Sequence, residues 1–152
     1  MALQKGTNSY ATVAEADTYF GDRLGADAWS GASQIDKPKA LITATSVIDM
    51  EDYLGDKVDP DQALEFPRVG YDPVPTDIIV ATYELALHFL TYPEALASGS
   101  SSSVDEIKID VIEIKGLSGD GSKSTSKIPD LVYKILRPYK PNTGGQIWHR
   151  AN

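Results

Sequence analysis

The sequence predicts a mainly α protein: a small helical bundle of three to four helices, with a β-strand or hairpin segment and an extended C-terminal arm. Three observations predict it. Between residues 12 and 96, apolar residues recur at helical spacing in three runs bounded by capping and breaking residues. Residues 106–111 alternate apolar and polar with period two, the pattern of a half-buried strand. Gly/Ser-rich tracts at 99–103 and 116–126, then Pro141, Gly144 and Gly145, punctuate the rest. The expected organisation is a helical domain at 1–98, flexible joints flanking the β segment at 99–127, and a short helix with an extended arm at 128–152.

The first helix begins at Thr12-Val13-Ala14-Glu15, a capping box in which the Thr12 hydroxyl and the Glu15 carboxylate satisfy orphan backbone donors reciprocally. Val13, Ala16, Phe20 and Leu24 form its apolar stripe, and Gly25 is the expected left-handed stop. A short turn over residues 26–30 then delivers Trp29 to the core. Asp36 is the expected cap of the second helix, with Pro38 in its tolerant first turn. Leu41, Ala44, Val47, Ile48 and Met50 line that helix, which should end near Leu54-Gly55. Residues 56–75, rich in Asp and Pro, read as a long ordered loop anchored by Leu64, Phe66 and Val69. Thr76 or Asp77 caps the third helix, Ile78, Ile79, Thr82, Leu85, Ala86, Phe89 and Leu90 line it, and Pro93 ends it.

In the β segment Ile107, Ile109 and Val111 share one phase, while Ile112 and Ile114 lie on the other, as a bulge would place them. The only candidate to pair with it in the chain is the short stretch after Lys123. An unpaired strand leaves donors and acceptors exposed, so these five residues are expected to form an intersubunit strand by strand addition. Ile128-Pro129 opens a short helix through Leu131, Val132, Ile135 and Leu136, which ends before Pro138. Residues 139–152 look extended.

The chain has 152 residues, 41% of them hydrophobic, and no cysteine. A modest core is affordable at this length; a disulfide framework or thiolate metal site is excluded. No apolar run approaches the roughly 20 residues of a membrane span, so no membrane partner is expected, and the opening residues lack the apolar core of a signal peptide. His88 and His149 belong to no spaced ligand set, and Asp56, Asp59 and Asp61 lack the glycine and final glutamate of a calcium loop. The glycine-rich run at 116–123 lacks phosphate-loop spacing, and no serine sits in a nucleophile elbow. The expectation is a non-enzyme without cofactor or metal.

Charge is unevenly distributed. Residues 1–122 carry eight Lys and Arg against 21 acids, a net −13; residues 123–152 carry six against Asp130 alone, a net +5. Within that basic end Tyr133, Lys134, Arg137, Tyr139, Lys140, Trp148 and Arg150 interleave rings with cations. Single-stranded nucleic acid binding exploits this pattern, and so do arms that dock in protein grooves. The acidic body favours docking, through Tyr139, Lys140, Gln146, Ile147, Trp148, His149 and Arg150.

Several ordered segments carry a family resemblance. They are residues 8–20 (Asn8 to Phe20), Trp29, residues 39–45 with Ile48-Asp49, and Leu64-Glu65-Phe66-Pro67-Arg68. Val74-Pro75, Thr82 to Ala86, Ile128-Pro129 and Leu136-Arg137-Pro138-Tyr139 complete the set. Over residues 8–139 the chain resembles a phage family labelled DnaT-like single-stranded-DNA-binding, whose members are similar to head-to-tail connectors of tailed bacteriophages. It departs from the pattern with Phe66 where many relatives place Trp, and with a longer polar insertion at 116–126. The resemblance implies a structural virion protein at the head–tail interface, assembled in the host bacterial cytoplasm. It implies a homo-oligomeric, twelve-fold ring beneath the portal protein, with a downstream neck or tail protein as second partner. Packaged duplex DNA would pass through without specific binding. In that reading Thr12, Glu15, Trp29, Phe66, Pro67 and Arg68 are structural, with pairing to an acid across a subunit interface as the alternative for Arg68. The alternative is a single-stranded-DNA-binding protein of phage replication.

Overall fold

A computed structural model describes residues 2–97 and 127–142. Its helices are α1 (Val13–Gly21), α2 (Asp27–Ser30), α3 (Asp36–Ile48), α4 (Thr76–Thr91) and α5 (Asp130–Leu136), with 3-10 turns at Pro93–Leu96 and Arg137–Tyr139. The architecture is the expected small helical bundle. The expected β segment, with Ile107, Ile109, Val111, Ile112 and Ile114, lies outside the described residues, as do Gln146, Ile147, Trp148, His149 and Arg150.

α4 is the axis of the bundle. Every residue from Ala81 to Leu87 is buried, the signature of a helix covered on all sides, and α3, α2 and α5 pack around it. Pro93 ends it as expected: the Tyr92 N–H closes the last turn on the His88 carbonyl at 2.8 Å, and the 3-10 turn begins at the proline. The N-terminus differs from expectation. Neither Thr76 nor Asp77 caps it; Pro75 occupies the cap and accepts the Ile78 N–H through its carbonyl at 3.0 Å.

The Thr12–Glu15 capping box forms. The Glu15 N–H donates to Thr12 Oγ1 at 3.2 Å and the Thr12 N–H to Glu15 Oε2 at 2.8 Å. α1 stops a turn before Gly25, however, and Leu24 is 94% exposed rather than in the stripe. Arg23 explains the difference, since its guanidinium turns inward to the buried Glu84 of α4 and carries the chain off the helix axis. α2 brings Trp29 into the core at 1% exposure.

Asp36 does not cap α3: it is the first helical residue, Ile35 occupies the cap, and Ser33 Oγ accepts the Asp36 N–H at 3.1 Å and donates to the Asp36 carboxylate at 2.7 Å. The helix also ends at Ile48, well before Leu54. The Tyr53 hydroxyl donates to the Ile48 carbonyl at 2.7 Å, taking the acceptor that another helical turn would have used. Met50, expected in the core, is 70% exposed.

The loop from Asp49 to Pro75 is ordered around Arg68. Nε donates to the Leu54 carbonyl at 2.9 Å, Nη1 to the Glu65 carboxylate at 2.6 Å, and Nη2 to the carbonyls of Tyr53 and Gly55. Gly55 has φ +76°, and a Cβ there would meet the Val69 carbonyl at 3.2 Å, so glycine is required. Leu64 and Phe66 are buried anchors. Val69 is not: it is 64% exposed beside Gly70, at the tip of the turn closed by the Tyr71 N–H on the Arg68 carbonyl.

The largest correction concerns Tyr139. Expected to begin an extended arm, it sits at 8% exposure on the 3-10 turn after α5. Its ring meets Phe66 and Tyr71 edge-on, with centroids at 5.9 and 5.0 Å, and its hydroxyl donates to Asp77 Oδ2 at 2.9 Å. Its carbonyl accepts the Leu54 N–H at 2.8 Å. The short α5 helix, with Val132 and Leu136 turned inward, is thus held against α4 and the long loop by the same core.

Candidate nucleic-acid interface

Because α5 buries Val132 and Leu136, helical geometry turns Tyr133, Lys134 and Arg137 outward. Tyr133 and Arg137 are one turn apart, and Lys134 pairs with Asp130 at 2.8 Å. These side chains and Lys140 form one wall of a groove of about 1060 Å³; Met50, Glu51, Asp52 and Leu54 form the other. Lys127 reaches the same edge, its ammonium 4.0 Å from Met50 Sδ. The Tyr133 ring is half exposed, and Lys140 Nζ lies 5.0 Å above its centroid while ion-paired with Glu51 across the groove. The groove therefore offers an aromatic surface, several cations and two carboxylates side by side.

Of the residues expected to dock a partner, Tyr139 is spent on the core and Lys140 lies in the groove. The acidic wall was not anticipated. Glu51 and Lys140 are 89 positions apart, and no local pattern announces such a contact. Among the structural residues, Trp29 and Phe66 fill the core, and Pro67 follows Phe66 through a cis peptide bond. Arg68 pairs with Glu65 of its own loop.

Several other charged groups of the bundle are engaged internally. Glu84 accepts from Arg23 and, at 2.7 Å, from the Tyr19 hydroxyl; burial, then the Glu84 carboxylate, push that phenol up to about 12. Asp17 accepts from Trp29 Nε1 at 2.8 Å and Lys37 Nζ at 2.9 Å, and the Lys37 bond holds its pKa below the usual carboxylate range. Asp49 takes the Tyr10 hydroxyl and the Glu65 N–H, and burial pushes it up to about 6. No buried side-chain N or O among the described residues lacks a partner. None of them forms a cluster of three or more His, Asp or Glu able to hold a metal. Likewise, no described helix is long and apolar enough to cross a membrane.

A family model described as "Putative DnaT-like ssDNA binding protein" matches residues 2–151. No curated protein and no solved structure matches the chain. The family finding overturns the connector reading and the virion, neck and portal role attached to it, in favour of the single-stranded-DNA alternative. The physical error lay in judging binding from the net charge of the body. Contact with a strand is decided by the charges within a Debye length of it, about 8 Å at physiological ionic strength. Around the α5 wall Lys134, Arg137 and Lys140 stand among Asp130, Glu51 and Asp52, a mixed field rather than the strongly acidic one of the body.

Proposed function

We propose, from the premise that this chain belongs to the DnaT-like ssDNA-binding protein family, that it binds single-stranded DNA along the groove beside α5. The observation that supports the reading is the exposed Tyr133 ring bracketed by Lys134, Arg137 and Lys140 on a rigid, core-anchored helix. A base that has left its stack can lie on the tyrosine, a contact worth about 1–3 kcal/mol and tolerant of sequence. The cations then meet the flanking phosphates. A duplex keeps its bases in the stack and can offer the groove only its backbone, so single strands are preferred. The reading includes no chemical step.

Fluorescence anisotropy with a labelled single-stranded oligonucleotide and the matching duplex, at low ionic strength, tests this. The single strand should bind more tightly, and Tyr133→Ala should weaken it by about 1–3 kcal/mol. Arg137→Ala should weaken both substrates. No binding, or equal binding of both substrates by the parent and the Tyr133→Ala protein, overturns the proposal.

A further inference from the structure

Lys140 is placed unusually for a phosphate contact. Its ammonium lies over the face of Tyr133, 5.0 Å from the centroid, and is fixed there by the Glu51 carboxylate on the opposite wall. Both partners are mostly covered, with side chains 20% and 26% exposed, so the pair is firmer than a solvated one. One face of the ring is therefore covered, and the cation over it is already ion-paired.

We infer that the Glu51–Lys140 pair is an inhibitory clasp on the Tyr133 platform, opened by the strand itself; this rests on the single-stranded-DNA reading above. Opening exchanges one ion pair for another: Lys140 leaves Glu51 for a phosphate, and a base takes its place on the ring. Neither half suffices alone. A phosphate without a base must break the pair and vacate the ring for nothing, while a base without a phosphate must displace an ammonium that has nowhere better to go. The clasp thereby selects a ligand that presents base and phosphate together, and Glu51 acts as a specificity device rather than as a contact to DNA.

The test compares the parent with Glu51→Gln, Lys140→Ala and the double variant in oligonucleotide binding across a salt series. Asp52→Asn serves as control: it removes the same charge from the same groove, yet Asp52 makes no ion pair among the described residues. Glu51→Gln should tighten binding roughly two- to fivefold, the range expected for releasing a partly exposed ion pair. The log–log salt slope should steepen by about 0.7, one more ion released from a single strand. Asp52→Asn should do clearly less, and Glu51→Gln should have no effect once Lys140 is alanine. Oligonucleotide binding that Glu51→Gln leaves unchanged, or improves no more than Asp52→Asn does, overturns the clasp and leaves the binding function standing. Absence of binding by every protein in the set removes both. Binding by Glu51→Gln alone supports both and shows a clasp strong enough to silence the parent.

Discussion

Two side chains in the long loop carry more than their position suggests. Arg68 gathers the carbonyls of Tyr53, Leu54 and Gly55 together with the Glu65 carboxylate, satisfying acceptors that the loop cannot pair by itself. Removing it strands those groups, so Arg68→Ala should lower unfolding free energy by about 2–4 kcal/mol in chemical denaturation. Arg68→Lys should recover little, because an ammonium lacks the planar fork. An Arg68→Ala protein as stable as the parent would show that the loop is held by Leu64 and Phe66 alone. Asp49 gives a pH signature. Burial raises it from 3.8 to about 6, so between these values the folded state binds more protons than the unfolded. Stability from this group is complete below about 4 and declines as pH rises through 6. Asp17 and Glu15, whose values are lowered by Lys37 and Lys5, act in the opposite sense at more acid pH. The contribution is isolated by difference: the melting temperature of the parent minus that of Asp49→Asn should fall from pH 4 to pH 6 and then level. A flat difference would mean that Asp49 stays ionised throughout.

Among the helices, what was legible followed local chemistry. The Thr12–Glu15 box is written in four consecutive residues, and Thr12→Ala should cost about 1 kcal/mol, read as a shifted denaturation midpoint. Pro93 as terminator and the span of α5 were equally readable. The helix ends that were misjudged were settled by side chains and carbonyls outside the helical pattern: Glu84, 61 positions away, draws Arg23 off α1, Tyr53 takes the Ile48 carbonyl at the end of α3, and the Pro75 carbonyl opens α4. For α5 the periodicity was plain, but its place in the core was not, since that depends on Tyr139 meeting Phe66, Tyr71 and Asp77 across the molecule. The consequence is testable. Leu136→Ala, from a position 1% exposed, should cost about 2–5 kcal/mol, whereas Leu131→Ala, half exposed, should be near neutral. Because α5 carries Tyr133 and leads directly into Arg137, Leu136→Ala should weaken oligonucleotide binding as well, while Leu131→Ala binds like the parent. Equal stabilities for the two variants would mean that α5 is not part of the cooperative core.

At the scale of the whole molecule, the partition of charge is what the sequence displayed most openly and what misled most. A net −13 over residues 1–122 describes the far field, whereas a bound strand responds to the near one. In that near field Lys134, Arg137 and Lys140 stand opposite Glu51 and Asp52. Three cations meeting three phosphates of a single strand would give a log–log salt slope of about −2. Lys140, however, only changes partners from Glu51 to a phosphate, so its share largely cancels. The slope for the parent protein should therefore lie between about −1 and −2, shallow for a DNA-binding protein, with stacking on Tyr133 supplying the salt-insensitive remainder. Titrating a single-stranded oligonucleotide across a salt series checks this. A slope near −5 would place most phosphate contacts on cations outside the groove. A slope near zero would mean that the strand is held without its phosphates, and the α5 wall would lose its assigned role.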